Sequence, residues 1–280
     1  MPRTSSTLHV GCDVQNLGYK RGDMSRLYDS ASSRSKKASD LSFVWANGGD
    51  PRRAALLSSL LFDGFSTQEQ ELLVAGMYVK ECSRGDVLYM DGDGVEEVLR
   101  VGSGLVKITK LGASGDAVIL RLASDGEVLG AIDLLASGKH TTTAVATRSG
   151  LILACRASAF KPMVESRPAL LLRLLQTQAE CLRDLEDRFH EMATDCVRPR
   201  VARQLVRLHE KMVQPDNGRV EIHLSHEELA QMTGTNLYTI GRLFAEWEGL
   251  AVSTRRGVVS IRDVELLREI YESDGRRDVD

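Results

Sequence analysis

A long stretch without glycine or proline constrains this chain more than any other feature. After Pro168 neither residue occurs until Pro199, and apolar side chains recur in between at alternating spacings of four and three. The series consists of six apolar residues and one glutamine, at Leu171, Leu175, Gln178, Leu182, Leu185, Phe189 and Met192. A heptad pattern of this kind forms one apolar seam along an α-helix, so it predicts a long helix with a helical partner. We expect two copies of the chain to pair in parallel through this seam; packing against its own domain is the alternative.

The segment from about Tyr78 to Arg156 has a different pattern. Short alternating or apolar runs are separated by turn residues such as Gly85-Asp86, Gly102-Ser103-Gly104 and Asp125-Gly126. The runs cover residues 87–90, 97–101, 105–109, 117–122, 143–147 and 151–154. Regularly spaced short strands with such turns predict a small all-β barrel or sandwich. Two helices are expected before it, one over residues 54–62 and one opened by a capping box from Ser66 to Glu69.

Composition and charge limit the function classes. A length of 280 residues predicts about two domains. The net charge of −3 means that any nucleic-acid contact must come from a local basic patch. No run approaches the ~20 apolar residues of a membrane helix, and the N-terminus lacks the apolar run of a secretory signal, so we expect a cytoplasmic protein. The five cysteines are scattered without a C-x-x-C pair and are expected to be reduced thiols rather than metal ligands.

The segment from Leu224 to Gly257 carries the strongest functional motif. A capping box at Ser225-His226-Glu227-Glu228 opens one short helix, Gly234 supplies a turn, a second helix runs to about Trp247, and a hairpin with a basic tip follows. Two helices, a turn and a hairpin predict a winged helix-turn-helix whose second helix enters a DNA major groove. The candidate DNA-binding residues are Ser225, Thr235, Asn236, Leu237, Tyr238, Thr239, Arg242, Arg255 and Arg256. Arg242 can donate two hydrogen bonds to a guanine edge, and Leu237 can contact a thymine methyl.

The order of barrel, long helix and winged helix-turn-helix resembles the Crp/Fnr family of bacterial transcription regulators. The resemblance runs from about Leu56 to Leu267. The motifs that carry it are Gly85-Asp86-Val87-Leu88-Tyr89, the central hairpin 99–108, the start of the phosphate-binding cassette at 126–130, the helix start at 200–205 and the helix-turn-helix at 229–242. It implies an α+β chain of two domains, an N-terminal jelly-roll barrel of the cyclic-nucleotide-binding type joined by a dimerisation helix to a C-terminal winged helix-turn-helix.

The expected domain order follows from these motifs. Residues 1–52 form a disordered or loosely ordered tail, 53–167 the sensor barrel, 168–195 the dimerisation helix, 196–272 the DNA-binding domain and 273–280 a second tail. The resemblance also implies an inverted-repeat site in double-stranded DNA, a homodimer, and RNA polymerase as a partner. In such a regulator a change in the barrel shifts the long helices and a hinge near residues 195–199.

The cassette departs from the pattern of the cyclic-nucleotide binders. Their arginine-serine pair falls on Thr141 and Thr142, and their ribose-binding glutamate falls on Ala131. The long-helix positions that meet the adenine fall on Leu185 and Glu186. Without these groups a cyclic phosphate would lose charge-assisted hydrogen bonds, so we do not expect gating by cyclic AMP. The candidate effector pocket comprises Gly126, Glu127, Leu129, Gly130, Lys139, His140, Thr141 and Thr142.

Several alternatives to this interpretation remain. Lys139 and His140 could serve another anion, although a solvated loop is the simpler interpretation of both. An atypical effector is possible in three forms: haem held by His140 or His9, another nucleotide, or redox chemistry at Cys181 and Cys196. A regulatory subunit that acts on a protein partner is a different class. We expect no enzyme, no cofactor and no metal site, because no nucleophile–base pair occurs and His223 and His226 straddle a strand end and a helix cap.

Overall fold

The computed structural model describes residues 49–50, 52–54, 65–113, 115–212, 220–255 and 257–274. The expected N-terminal tail up to residue 48, nearly all of the helix expected over 54–62, Arg256 and the last six residues lie outside this part of the chain. No helix in the described ranges combines the length and the apolar character that crossing a bilayer requires.

The N-terminal domain is an antiparallel β-structure with helices on its outer side. Its strands are β1 (Met77–Cys82), β2 (Val87–Tyr89), β3 (Glu97–Leu111), β4 (Ala117–Ala123), β5 (Val128–Leu129) and β6 (Thr143–Arg156). Its helices are α1 (Thr67–Gly76), α2 (Ala131–Ala136) and α3 (Ala157–Glu165). The main sheet runs in the order β1-β6-β3-β4, with β2 paired to β6 and β5 paired to β3. The capping box predicted at Ser66 and Glu69 is present at the start of α1.

The expected turn at Gly102-Ser103-Gly104 is wrong, and so is the expected central hairpin over 99–108. These residues lie inside the single strand β3, and the two runs predicted at 143–147 and 151–154 likewise belong to one strand, β6. The glycines lie where these two paired strands approach each other closely and their register shifts. A Cβ at Gly150 would lie 2.0 Å from the backbone oxygen of Ser103, which no side chain could accommodate. The glycines therefore bend the paired strands without ending them.

Two apolar clusters stabilise this domain. One fills the interior between the strands and includes Leu99, Ile108 and Leu129. The other lies between the sheet and the helices and includes Leu153, Phe160, Leu170 and Leu174. Leu170 and Leu174 belong to the long helix α4 (Pro168–Thr194), which begins with Pro168 in its first turn, where a missing N–H costs no hydrogen bond.

The C-terminal domain is a compact α+β unit. It comprises α5 (Val197–Met212), β7 (Val220–Ile222), α6 (His226–Thr233), α7 (Leu237–Trp247), β8 (Val252–Arg255), β9 (Val258–Ile261) and α8 (Val264–Asp274). Its three strands form an antiparallel sheet in the order β7-β9-β8. The predicted two helices, hairpin and final helix are all present. The two-domain α+β architecture expected from the sequence is therefore confirmed.

Candidate nucleic-acid interface and barrel pocket

The turn between α6 and α7 is held by local capping interactions. Ser225 accepts a hydrogen bond from the backbone N–H of Glu228 at 3.1 Å, and Glu228 in turn accepts one from the N–H of Ser225 at 3.0 Å. Gly234 ends α6 with φ at +60°, a conformation in which a side chain would be strained. Asn236 then caps α7 by accepting the N–H of Thr239 at 2.9 Å. The angle between the two helices is thus set by residues within one turn of the junction.

Helix α7 has one buried and one exposed face. Ile240, Leu243, Phe244 and Trp247 belong to the core of the domain. On the opposite face Tyr238 is 81% exposed and Leu237 is 56% exposed. Asn236 and Arg242 are also exposed, whereas Thr235 and Thr239 are half-buried. An apolar and an aromatic side chain held out from a rigid helix start, beside an arginine, form a surface suited to contact with a partner.

The remaining candidate DNA-binding residues lie at the edge of this surface. Arg255 ends β8 and is exposed, next to the tip of the hairpin. Ser225 is partly buried and its hydroxyl is used in the capping box. At that end the first backbone N–H groups of α6 have no partner within the helix, an arrangement that favours an anion.

The start of the cassette is an ionic cluster. Glu127 is paired with Arg121 of β4 and, at 2.7 Å, with Lys211 of α5, and it accepts the N–H of Ser124 at 2.9 Å. Burial raises the pKa of Glu127, but the charges of Lys211 and Arg121 outweigh it, and the pKa lies below its ordinary value. Gly130 follows with φ at +78° and begins α2. Leu129 faces the apolar interior, so Glu127 is the charged member of this group.

The second half of the candidate effector pocket places His140 inside the protein. His140 is 5% exposed and stacks on Tyr89, with ring centroids 3.7 Å apart and planes 6° from parallel. The solvated-loop interpretation is therefore wrong for His140, because Tyr89, 51 residues earlier, covers its ring. It holds for Lys139, which is exposed. Nδ1 of His140 has no hydrogen-bond partner and lies 3.5 Å from the carboxylate of Asp133.

The two threonines at the positions of the arginine-serine pair have partners of their own. Thr141 is exposed and donates a hydrogen bond to Asp133 at 2.9 Å, while its backbone oxygen accepts one from Lys110 at 2.6 Å. Thr142 forms a side-chain hydrogen bond with the hydroxyl of Tyr89, and burial raises the pKa of that hydroxyl. Neither threonine brings a positive charge to the pocket.

A cavity of about 450 Å³ opens beside His140. Its wall consists of Lys80, Leu88, Tyr89, Asp93, Gly94, Glu96, Glu97, Leu99 and His140. The wall is acidic because it contains three carboxylates, those of Asp93, Glu96 and Glu97, and one lysine, Lys80. The cavity is therefore poorly suited to an anion such as a cyclic phosphate or the propionates of haem.

The seam of α4 is largely uncovered in the single chain. Phe189 is 73% exposed, and the leucines at 171, 175, 182 and 185 and Met192 are also exposed. The barrel instead covers Leu170 and Leu174. Packing against its own domain, the alternative for the heptad seam, therefore does not account for it.

Sequence reasoning missed two charged groups, the buried Arg100 and the partly buried Arg188. Arg100 is 4% exposed in the middle of β3, and its Nε and Nη1 lack hydrogen-bond partners. Burial lowers its pKa to about 10, although Asp125 partly compensates. Arg188 of α4 reaches across to three backbone carbonyls, those of Ile119, Leu120 and Met232. Both residues read as ordinary surface positions in the sequence, and no local signal distinguishes them.

Comparison with known proteins covers both domains. The Cyclic nucleotide-binding domain family matches residues 79–167, and the Crp-like helix-turn-helix domain family matches residues 199–270. Over 213 residues the chain is 27% identical to the Cyclic AMP receptor protein of Thermus thermophilus, covering 76% of this chain and 96% of that protein.

Solved structures share the fold of this chain. A CRP/FNR-family transcriptional regulator of Thermus thermophilus has 25% sequence identity and a TM-score of 0.58, covering 71% of this chain and all of that one (100%). FixK2 from Bradyrhizobium japonicum has a TM-score of 0.62 at 18% identity, covering 69% of this chain and 96% of its own, a likeness of fold.

Proposed function

Because the chain belongs to the Crp/Fnr family of transcription regulators, we propose that it acts as a homodimeric, sequence-specific DNA-binding protein that does not need cyclic AMP bound in the usual mode. The observation that carries this proposal is the exposed face of α7. Leu237, Tyr238 and Arg242 project from a helix whose opposite face is locked in the domain core. Such a helix can enter a major groove without rearrangement of the domain.

The assignment of roles follows from chemistry and position. Arg242 would read a guanine edge and Leu237 a thymine methyl. The DNA phosphates would be contacted by Thr235, Asn236, Tyr238, Thr239 and the start of α6 at Ser225. The wing would add phosphate contacts from Arg255 and Arg256. The expected target is an inverted repeat with half-site centres ~34 Å apart, one helical turn of DNA.

The exposed seam of α4 supports the homodimer. An uncovered row of leucines with Phe189 would be costly in water, and a second copy of the same helix offers a matching surface. Two copies paired through this seam would carry two DNA-binding domains, as an inverted repeat requires. The family relationship supports a cytoplasmic regulator that works with RNA polymerase.

The cassette supports independence from cyclic AMP. Thr141 and Thr142 offer hydroxyls where a cyclic phosphate needs a guanidinium, and Glu127 holds Arg121 and Lys211 in ion pairs. The acidic cavity beside His140 argues against haem and against nucleotides. Burial raises the pKa of Cys181, which makes a reactive thiolate there unfavourable. A regulatory subunit acting on a protein partner would not need the exposed Arg242 beside a helix-turn-helix.

Binding-site selection tests the proposal. The purified 280-residue chain is incubated with a random duplex library, with and without cyclic AMP, and bound DNA is sequenced. We expect an enriched inverted repeat in both samples. Enrichment only with cyclic AMP would overturn the interpretation of Thr141 and Thr142. Absence of enrichment in both samples would overturn ligand-free DNA binding.

A further inference from the structure

We propose that Lys211 latches the DNA-binding domain onto the sensor barrel through Glu127, and that this latch, together with Arg188, makes the two domains respond as one unit. This coupling acts between two domains of one chain and does not depend on the DNA sequence that the protein reads. The cassette carboxylate then has a structural role that does not require a bound nucleotide.

The latch is a pair of side chains that are far apart in sequence. Lys211 lies in the last turn of α5, the first helix of the DNA-binding domain, and its Nζ is 2.7 Å from Glu127 in the barrel. The same ammonium donates a hydrogen bond to the backbone oxygen of Leu122, at the end of β4, at 2.5 Å. Lys211 is thus bound to both sides of the connection between β4 and the cassette.

Arg188 ties a third element to this contact. Its guanidinium donates hydrogen bonds to the carbonyl oxygens of Ile119, at 3.2 Å, and Leu120 on β4, and to that of Met232 on α6, at 2.7 Å. One side chain of the long helix therefore fastens a barrel strand to the first helix of the helix-turn-helix. Because a guanidinium carries its donors in a fixed planar fork, it specifies how these three elements are oriented.

A second ion pair and an apolar contact continue the interface. Lys107 of β3 is 2.9 Å from Glu228, in the first turn of α6. Beneath these polar links, Leu105, Ile119 and Leu122 of the barrel belong to the same buried cluster as Leu229 and Met232 of α6. The two domains therefore share a core, and the polar groups at the edge of this core determine how the domains are positioned against each other.

The position of Glu127 explains why this contact can act as a latch. Glu127 precedes β5 and α2, so a movement of the cassette displaces its carboxylate. Lys211 and Glu127 both keep part of their surface in solvent, so their pair can open without leaving a fully buried charge. Arg121 remains beside Glu127 when Lys211 is removed, so the cassette keeps a neutralising partner. Loss of Lys211 is expected to free the DNA-binding domain without unfolding the barrel.

Hydrogen exchange of the whole chain tests the latch. In Lys211→Gln we expect amides of β4 and α6 to exchange about fivefold or more faster than in the wild type, because local opening of the interface exposes them. Amides of β6, in the barrel, and β9, in the DNA-binding domain, should keep their wild-type rates. Lys211→Arg should behave like the wild type, since it keeps the charge.

Two further variants make the result decisive. Lys110→Gln removes a lysine that pairs with Asp91 within the barrel and should leave β4 and α6 unchanged. Arg188→Gln should accelerate exchange in the same two elements as Lys211→Gln. Unchanged exchange in β4 and α6 in Lys211→Gln would overturn the proposal. Faster exchange throughout both domains would also overturn it, because Lys211 would then stabilise the fold in general.

Discussion

The carboxylate of Glu191, near the end of α4, accepts a hydrogen bond from Nη1 of Arg207 on α5 at 2.8 Å. Arg203 lies 3.2 Å from the same carboxylate and 2.5 Å from that of Asp195. Arg200 donates to the carbonyl oxygens of Met192 and Asp195, each at 3.3 Å. Three arginines on one face of α5 therefore cross the junction where the sequence predicts a hinge, and they hold α5 against the end of the long helix.

Glu191→Gln is expected to weaken this junction. The substitution removes the charge that neutralises two arginines, and the side chain of Glu191 is almost fully buried. We expect the free energy of unfolding to fall by about 2 kcal/mol, below the range for fully buried pairs because the arginines are partly exposed. Urea denaturation measures it. Glu180→Gln, at an exposed position of the same helix, should cost less than about 0.5 kcal/mol, and equal losses would contradict the interpretation.

Local signals predicted the DNA-binding domain well. The capping box at Ser225, the left-handed glycine at 234 and the apolar spacing of Ile240 and Leu243 all act within a few residues, so the sequence carries them directly. The helix-turn-helix and its hairpin could therefore be predicted, and the roles assigned to its exposed side chains stay predictions.

The barrel was predicted less completely because its decisive contacts are distant in sequence. Gly150 permits the close approach of Ser103, and without that partner the sequence does not show that the runs at 143–147 and 151–154 form one strand. His140 is buried because Tyr89 stacks on it. Arg188 finds its carbonyl partners on β4 and α6. Periodicity cannot reveal such pairings, since each depends on which strands and helices meet in the fold.

Arg242→Ala is expected to relax base preference at one position in each half-site. Arg242 is exposed on α7 and has the geometry to bind a guanine edge, a contact worth about 1–3 kcal/mol of discrimination. Sequencing of selected binding sites measures the change. Arg255→Ala, at the wing, should instead weaken binding to all sequences and reduce the salt dependence. Wild-type base preference in Arg242→Ala would mean that α7 is not the reading helix.

Leu182→Glu combined with Leu185→Glu is expected to convert a dimer to a monomer. Both leucines are exposed on the seam of α4, and four like charges facing each other across a paired seam would oppose association. Sedimentation velocity measures the oligomeric state. Leu72→Glu places a charge on a leucine of α1 that is 71% exposed and lies outside the seam, and it should leave the dimer intact. A dimer that persists in the double variant would contradict pairing through this seam.

The largely buried carboxyl of Asp125 predicts how stability depends on pH. Burial raises the pKa of Asp125 to about 6, although the charges of Arg148 and Arg100 act against the rise. The carboxyl is therefore more readily ionised in the unfolded chain, where the pKa of an aspartate is lower. Its contribution to stability is fully present below about pH 4 and is lost as the pH rises through about 6.

Asp125→Asn removes this titration and tests the sign. We compare the free energy of unfolding of the variant with that of the wild type. The variant's value minus the wild type's should be roughly 2 kcal/mol higher at pH 7.5 than at pH 4, since each unit of pKa shift corresponds to about 1.4 kcal/mol. Urea denaturation of both proteins from pH 4 to 7.5 measures the difference, in which all other titrating groups cancel. Arg100, whose pKa is about 10, stays charged throughout this range. A constant difference between the two proteins would mean that Asp125 has the same pKa in the folded and the unfolded chain.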